Sequence, residues 1–126
     1  MEKKRPQVGI ALGGGFARGL AHVGVLEVFE REGIPMDMIA GTSIGALVGA
    51  LYAREHDAAL IKKQATQMDL MGVTSLVDIS LRKSGFITGR RVTNLLRRLI
   101  GDVQFKDLDI PLACVATDIL TGDEVV

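Results

Sequence analysis

The sequence lacks several features that mark nucleic-acid-binding and secreted proteins. It contains no tryptophan, and aromatic residues make up only 4% of the chain, so a platform for stacking bases is not expected. Lys and Arg number 15 and are balanced by 15 Asp and Glu, so no net charge draws the chain to nucleic acid. The single cysteine, Cys114, cannot form an internal disulfide, which fits a cytoplasmic protein. We expect no nucleic-acid partner, and we interpret Cys114 as a packing residue.

Long hydrophobic runs are also missing. The longest charge-free stretch, Met38 to Ala53, is shorter than the roughly 20 residues that a membrane-spanning helix needs. The N-terminus is basic, but glycines and Arg18 interrupt the apolar residues that follow, so no signal peptide is predicted. With 126 residues, 48% of them hydrophobic, the chain is sufficient for one folded domain. We assign residues 1–6 to a tail and residues 7–126 to the domain.

Two strand–helix units open the chain. Residues 7–12 and 38–41 are short apolar runs that predict buried strands, and helical patterns follow over about 17–32 and 43–54. The order strand, helix, strand, helix predicts parallel strands joined by right-handed crossovers. The fold class is therefore predicted to be α/β.

The first of these helices has an expected core face and an expected end. Ala21, Val25 and Val28 recur at helical spacing and are predicted to form the buried stripe. Gly33 is predicted to terminate the helix.

Further elements are predicted in the second half of the chain. They are, in order, a helix over 57–68 that begins at Asp57, a loop-rich segment over 72–87, a helix from Thr88 to Ile100 closed by Gly101, and a strand over 110–119. A turn at 121–123 then starts a return strand, which the sequence leaves at Val126. Because a native domain rarely ends inside a strand, we expect the natural domain to continue.

The pentapeptide GTSIG places Ser43 between Gly41 and Gly45, at the predicted junction of a strand and a helix. A serine on such a sharp turn exposes its hydroxyl at the carboxyl edge of the sheet, while the glycines let the backbone pass closely. The helix that follows directs its N-terminal amides at negative charge that develops there. Ser43 is therefore a candidate nucleophile. A helix-capping serine beside packing glycines would explain the same pattern.

A second glycine motif, GGGFARG, follows the first predicted strand. Successive glycines can present backbone N–H groups to the oxyanion that acyl transfer creates, and this makes Gly13, Gly14 and Gly15 candidate donors. Neighbouring parallel strands would place this loop and Ser43 at one edge, about 5 Å apart.

A dinucleotide-binding loop is the main rival interpretation of this glycine motif. Its fingerprint needs a third glycine where this chain has Arg18, and Gly19 comes one position too late. Arg18 could steady the loop, contact an anionic head group, or be an ordinary surface arginine.

The chain offers few bases that could activate Ser43. His56 follows it by more than three helical turns, about 20 Å, and is out of reach. His22 lies about one turn into the first helix, where contact is possible, but a Ser-His-Asp triad is not supported. Asp37 precedes its strand and is expected at the wrong edge of the sheet. Asp118 follows the last strand and is the candidate base within the chain, unless it only starts a turn.

The two motifs, in this order and at this spacing, resemble the opening of a bacterial patatin-like phospholipase domain. The later segment FKDLDIPLACVATDILTGDEVV is similar to the next part of that family, so the likeness covers residues 7–126. It implies a three-layer α/β/α fold with a mainly parallel central sheet. It also implies hydrolysis of lipid acyl esters by a Ser–Asp dyad, without histidine, metal or cofactor.

Carried onto this sequence, the resemblance makes Ser43 the nucleophile and assigns the oxyanion hole to the amides of 13–15. The supporting motif residues are Arg18, Gly19, Gly41 and Gly45. The family's aspartate lies in an Asp-Gly-Gly or Asp-Gly-Ala motif, and neither tripeptide occurs here. We therefore expect the catalytic aspartate outside these 126 residues, and a chain that is inactive alone.

Two alternative functions use the same fold. An acyltransferase would pass the acyl group from Ser43 to another acceptor, although acyl-carrier transacylases usually have a histidine where this chain has Thr42. A regulatory module without activity would lack the dyad aspartate even in the full-length protein.

The segment 89–101, GRRVTNLLRRLIG, is predicted to form a basic amphipathic helix. One face carries Val92, Leu95, Leu96 and Leu99, and the other carries Arg90, Arg91, Asn94, Arg97 and Arg98. Such a helix can lie peripherally on an anionic membrane, or its basic face can simply be solvated.

Overall fold

The computed structural model describes residues 5–67 and 89–126. Its central sheet has three parallel strands in the order β1 (Gly9–Leu12), β2 (Met38–Gly41) and β3 (Leu112–Cys114). Parallel strands linked through helices confirm the α/β class and the parallel sheet.

The carboxyl ends of the three strands lie side by side. Gly41 at the end of β2 is paired with Leu12 on one side and with Cys114 on the other. The glycine loop after β1 and the turn after β2 therefore leave the sheet at the same edge, as the sequence predicted.

The helices follow the predicted order. They are α1 (Ala21–Arg31), which a 3-10 turn (Phe16–Leu20) precedes, α2 (Ile44–Glu55), α3 (Ala58–Gln67) and α4 (Gly89–Ile100), with a second 3-10 turn at Phe105–Asp107. The N–H of Leu60 donates to Asp57 Oδ1 at 2.8 Å, so Asp57 opens α3 as predicted. The loop over 72–87 and the cap at Thr88 lie outside the described residues. In the described ranges no helix is both long and apolar enough to cross a bilayer.

Helix α2 packs directly on the sheet. A methyl group built on Gly49 would lie 2.9 Å from Ile39 and 3.6 Å from Leu12, so α2 covers the face that those side chains form. Gly9, Ala11 and Met38 alternate onto the opposite face. Strands that are apolar on both faces are typical of a parallel sheet between two layers of helices.

The face of α1 that enters the core differs from the predicted one. Val23 and Leu26 are buried, with 3% and 0% exposure, whereas Val25 and Val28 remain about two-fifths exposed, at 42% and 40%. Ala21 is exposed as well. The predicted stripe was therefore wrong: the helix is rotated about its axis, so that a different side faces the core.

The side of α1 that carries Val23 and Leu26 packs in the hydrophobic core with α3, and polar contacts accompany this packing. Lys62 Nζ lies 3.0 Å from Glu27 Oε2, and the N–H of Ala58 donates to Glu30 Oε1 at 2.9 Å. Both acidic residues belong to the side of α1 that also carries Val23 and Leu26. The bonds therefore lie on the side of α1 that faces α3.

The predicted strand over 110–119 is divided in two. Its first part is β3, and its second part, β4 (Ala116–Thr117), pairs antiparallel with β5 (Glu124–Val125) in a separate hairpin. The N–H of Val115 donates to the carbonyl of Gly41 at 2.9 Å, just before the chain enters β4. The hairpin is present, but its turn lies at 119–121, earlier than the predicted 121–123, because the N–H of Gly122 donates back to the carbonyl of Asp118 at 2.8 Å.

Candidate active site

Ser43 has a backbone conformation that is rare for its residue type. It is exposed and joins β2 to α2 with φ 53° and ψ −127°. Positive φ is uncommon outside glycine, and such strain is concentrated at functional sites. Ser43 occupies the N-cap position, but its side chain forms no capping hydrogen bond with the described residues of α2. Helix capping therefore does not account for a serine here.

Hydrogen bonds of Thr42 fasten the turn to both neighbouring strands. Its N–H donates to the carbonyl of Leu12 at 3.1 Å, and its hydroxyl donates to the carbonyl of Val115 at 3.2 Å. Sequence reasoning missed this role, because the position before the serine in such a motif carries no fixed residue. The turn is held from both sides while the Ser43 side chain stays exposed.

The flanking glycines are needed because backbones approach closely. A methyl group built on Gly45 would come within 2.6 Å of the carbonyl oxygen of Gly13, and one on Gly41 would come within 2.7 Å of the nitrogen of Ala46. Both distances are too short for real side-chain contacts. The start of α2 therefore packs against the glycine loop without any side chain between them.

The glycine loop lies directly beside Ser43. A methyl group built on Gly14 would lie 3.5 Å from Ser43 Cβ, which is van der Waals contact. Gly15 has φ 145°, a conformation that residues with side chains rarely adopt. The two sequence motifs thus meet at one edge of the sheet, as their order predicted.

Two further residues of the motif support the loop from its far end. The N–H of Arg18 donates to the carbonyl of Gly15 at 3.1 Å, while the Arg18 side chain is exposed. Gly19 is buried against Ile44, and a methyl group there would come within 2.7 Å of Ile44 Cγ1. The loop is therefore tied to the first turn of α2.

The two histidines have different places in the structure. His22 Nε2 lies 2.8 Å from the carbonyl oxygen of Gly13, so His22 contacts the loop rather than serving as a free base. His56 ends α2, stacks on Tyr52 and lies 3.5 Å from Asp109. His56 is at the far end of α2 from Ser43, as the sequence indicated.

The two candidate aspartates are both engaged in other contacts. Asp37 lies at the amino edge of the sheet, where Arg5 binds both carboxylate oxygens at 2.6 and 2.7 Å. The Arg5 hydrogen bond, with the N–H of Val8, lowers the pKa of Asp37 to about 2. Asp118 Oδ1 accepts the N–H of Leu120 at 2.8 Å and so stabilises the hairpin turn.

Neither a thiol nor a metal site accompanies Ser43 in the described part of the chain. Cys114 is partly buried, and burial raises the pKa of its thiol, which disfavours the reactive thiolate. Over 5–67 and 89–126 there is no group of three His, Cys, Asp or Glu residues that could hold a metal ion.

The basic end of α4 lies away from this site. Leu95 and Leu99 are buried at 7% exposure each, and Arg97 and Arg98 are exposed. The side chains of residues 89–92 lie outside the described part of the structure. A methyl group built on Gly101 would come within 2.7 Å of Arg54, which is near the far end of α2. Arg54 follows Ser43 by about three helical turns.

These features define a class of protein and then a family. An exposed serine on a strained strand-to-helix turn, beside a glycine loop at the carboxyl edge of a parallel sheet, is typical of α/β proteins with a nucleophile elbow. The family model for patatin-like phospholipases matches residues 10–125. The chain belongs to the patatin-like phospholipase family.

Relatives with this domain are found in animals and fungi. The chain is 39% identical over 120 residues to patatin-like phospholipase domain-containing protein ZK370.4 of Caenorhabditis elegans. This match covers 92% of the present chain and 9% of that relative. It is 38% identical over 116 residues to human patatin-like phospholipase domain-containing protein 6. It is 41% identical over 116 residues to the lysophospholipase nte1 of Aspergillus fumigatus. Each of the last two matches covers 89% of this chain and 8% of the relative.

Proposed function

We propose that this protein is a serine hydrolase of lipid acyl esters, of the phospholipase or lysophospholipase type. The observation that carries the proposal is the strained, exposed Ser43, which makes no capping bond with α2 and lies beside the glycine loop, where a methyl group built on Gly14 would touch it. The family membership and the names of the fungal and animal relatives support a lipid substrate.

In the proposed reaction, Ser43 Oγ attacks the carbonyl carbon of the ester, and its proton passes to a carboxylate. The carbonyl oxygen becomes an oxyanion that accepts hydrogen bonds from amides of the loop 13–15. Collapse of this intermediate breaks the ester bond, and the leaving alcohol takes the proton from the carboxyl group. Water then attacks the acyl-enzyme in the same way and releases the fatty acid.

The proton acceptor is proposed to be an aspartate outside these 126 residues, as the family resemblance implies. Asp118 is the candidate within the chain, but its Oδ1 already accepts the N–H groups of Leu120 and Thr121. His22 is directed at the carbonyl of Gly13. We therefore expect residues 1–126 alone to hydrolyse esters poorly or not at all.

The protein is further proposed to be cytoplasmic and to meet its lipid substrate peripherally, at a membrane surface. The basic face of α4 is not assigned to this contact, because the end of α4 lies beside Arg54, at the opposite end of α2 from Ser43.

The test is the release of fatty acid from lysophosphatidylcholine and phosphatidylcholine by the whole protein. We expect release that Ser43→Ala abolishes and that Thr66→Ala preserves, since Thr66 is an exposed hydroxyl residue on α3. Activity that survives in Ser43→Ala would contradict the proposal. Transfer of the acyl group to an added alcohol, with little free fatty acid, would instead favour the acyltransferase alternative.

A further inference from the structure

The hydrogen bond from His22 fixes one peptide unit of the glycine loop. A carbonyl oxygen can only accept, so Nε2 of His22 carries the proton in the 2.8 Å contact with the oxygen of Gly13. His22 lies in the first turn of α1, a rigid helix that is anchored to α3 by Glu27 and Glu30. The loop is therefore tied to a fixed part of the fold.

That bond also determines the direction of a neighbouring donor. The carbonyl of Gly13 and the N–H of Gly14 belong to the same planar trans peptide, so they point in opposite directions. Holding the Gly13 oxygen towards His22 turns the Gly14 N–H away from α1. Gly14 is the loop residue whose added methyl group would touch Ser43 Cβ. The histidine thus sets the orientation of an amide in the loop that lies beside the candidate nucleophile.

The loop needs such an anchor because its sequence supplies no stiffness. Rotation of the Gly13–Gly14 peptide changes ψ of one glycine and φ of the next, and neither residue has a Cβ to oppose it. No described atom lies within 4 Å of a methyl group built on Gly13, and the contact of the Gly13 carbonyl oxygen with Gly45 is packing rather than a hydrogen bond. The Arg18 to Gly15 bond acts further along the loop.

We propose that His22 is a positioning residue, which holds the Gly14 N–H in place to stabilise the oxyanion while taking no part in proton transfer. The inference rests on the proposed hydrolase function, and it adds a role for a histidine that the Ser–Asp mechanism does not use. Without His22, the Gly13–Gly14 peptide would lose the hydrogen bond that fixes its carbonyl, and the Gly14 amide would be held in the orientation that meets the oxyanion for less of the time.

The test compares His22→Gln, which keeps an N–H donor at a similar reach, with His22→Phe, which keeps a ring and removes the donor. Steady-state hydrolysis is measured with the whole protein on lysophosphatidylcholine. We expect His22→Phe to lower kcat about 10- to 100-fold with KM little changed, since a lost oxyanion donor costs up to about 100- to 1000-fold. His22→Gln is expected to recover most of this loss. His56→Asn is the control, because asparagine tolerates the left-handed conformation at that position.

A second readout separates this inference from the proposed function. The ¹⁵N order parameter of the Gly14 amide is expected to fall in His22→Phe and to stay near its original value in His22→Gln. If that pattern appears in a protein without Ser43-dependent hydrolysis, the proposed function fails and the positioning role remains. Equal kcat and equal Gly14 order in the two His22 variants would overturn the inference. Complete loss of activity in His22→Gln, with the Gly14 amide still ordered, would also overturn the inference. That result would indicate that His22 acts as the catalytic base.

Discussion

Replacing Ser43 by glycine should relieve backbone strain and so give a higher free energy of unfolding than replacing it by alanine. With φ 53° and ψ −127°, Ser43 has a conformation that glycine adopts freely and that alanine, like serine, adopts only at a cost. The informative comparison is therefore Ser43→Gly against Ser43→Ala. Both variants lack the hydroxyl, and neither loses a capping bond within the described residues of α2, since the serine makes none.

The size of the effect follows from two opposing contributions. A residue held in a sparsely populated backbone region costs about 1–3 kcal/mol. Glycine instead of alanine gives the unfolded chain more freedom, which costs about 0.4–1 kcal/mol. We therefore expect Ser43→Gly to be more stable than Ser43→Ala by about 1 kcal/mol.

Urea unfolding followed by circular dichroism measures this difference. With a slope of about 1–3 kcal/mol per molar urea, the two midpoints should differ by about 0.3–1 M. The same pair of substitutions at Lys63, an exposed position inside α3, should have the opposite sign, because glycine costs about 1 kcal/mol in a helix. An alanine variant at position 43 that is as stable as the glycine variant would refute the assignment of backbone strain.

Three other substitutions test the packing and the charges around the site. Gly45→Ala should destabilise the protein in thermal unfolding, because the added methyl group would lie 2.6 Å from the carbonyl oxygen of Gly13. Gly24→Ala on α1 is the control. Its methyl group meets no described atom within 4 Å, so it should be neutral or stabilise the protein by up to about 1 kcal/mol. Leu26→Ala should cost about 2–5 kcal/mol in urea unfolding, against less than about 1 kcal/mol for Val25→Ala; equal costs would contradict the observed rotation of α1. The pKa of Asp37 is lowered from 3.8 to about 2, so its ion pair stabilises the fold fully above pH 3.8 and is lost as the pH falls through about 2. In acid titrations Asp37→Asn should therefore be less stable than the original chain near pH 6, and this difference should vanish by about pH 2.

The parallel sheet and the meeting of the two motifs could be predicted because they depend on local patterns. Gly13 to Gly15 and Ser43 each follow a short apolar run, and parallel strands place such loops at one edge. The end of α1 near Gly33 and the start of α3 at Asp57 were predictable for the same reason. Gly33 adopts a positive φ just after α1, and Asp57 accepts a hydrogen bond from the first turn of α3, so both depend only on neighbouring residues.

The orientation of α1 and the anchor of the glycine loop depend on contacts between distant residues. Two stripes of α1 are apolar, and Leu26 is buried because its stripe packs against α3, where Glu27 and Glu30 also form bonds. The bond from His22 to Gly13 depends on how the first helix turns after the loop. No periodicity in the sequence specifies either arrangement.

The central claim is that Ser43 is a nucleophile activated where the two glycine motifs meet. Labelling of the whole protein with a fluorophosphonate, read by intact mass and peptide mapping, tests it most directly. We expect one phosphonyl group per chain, located on Ser43 and absent from Ser43→Ala. A folded, lipid-hydrolysing protein that is unlabelled at Ser43, or labelled equally in the alanine variant, would contradict it.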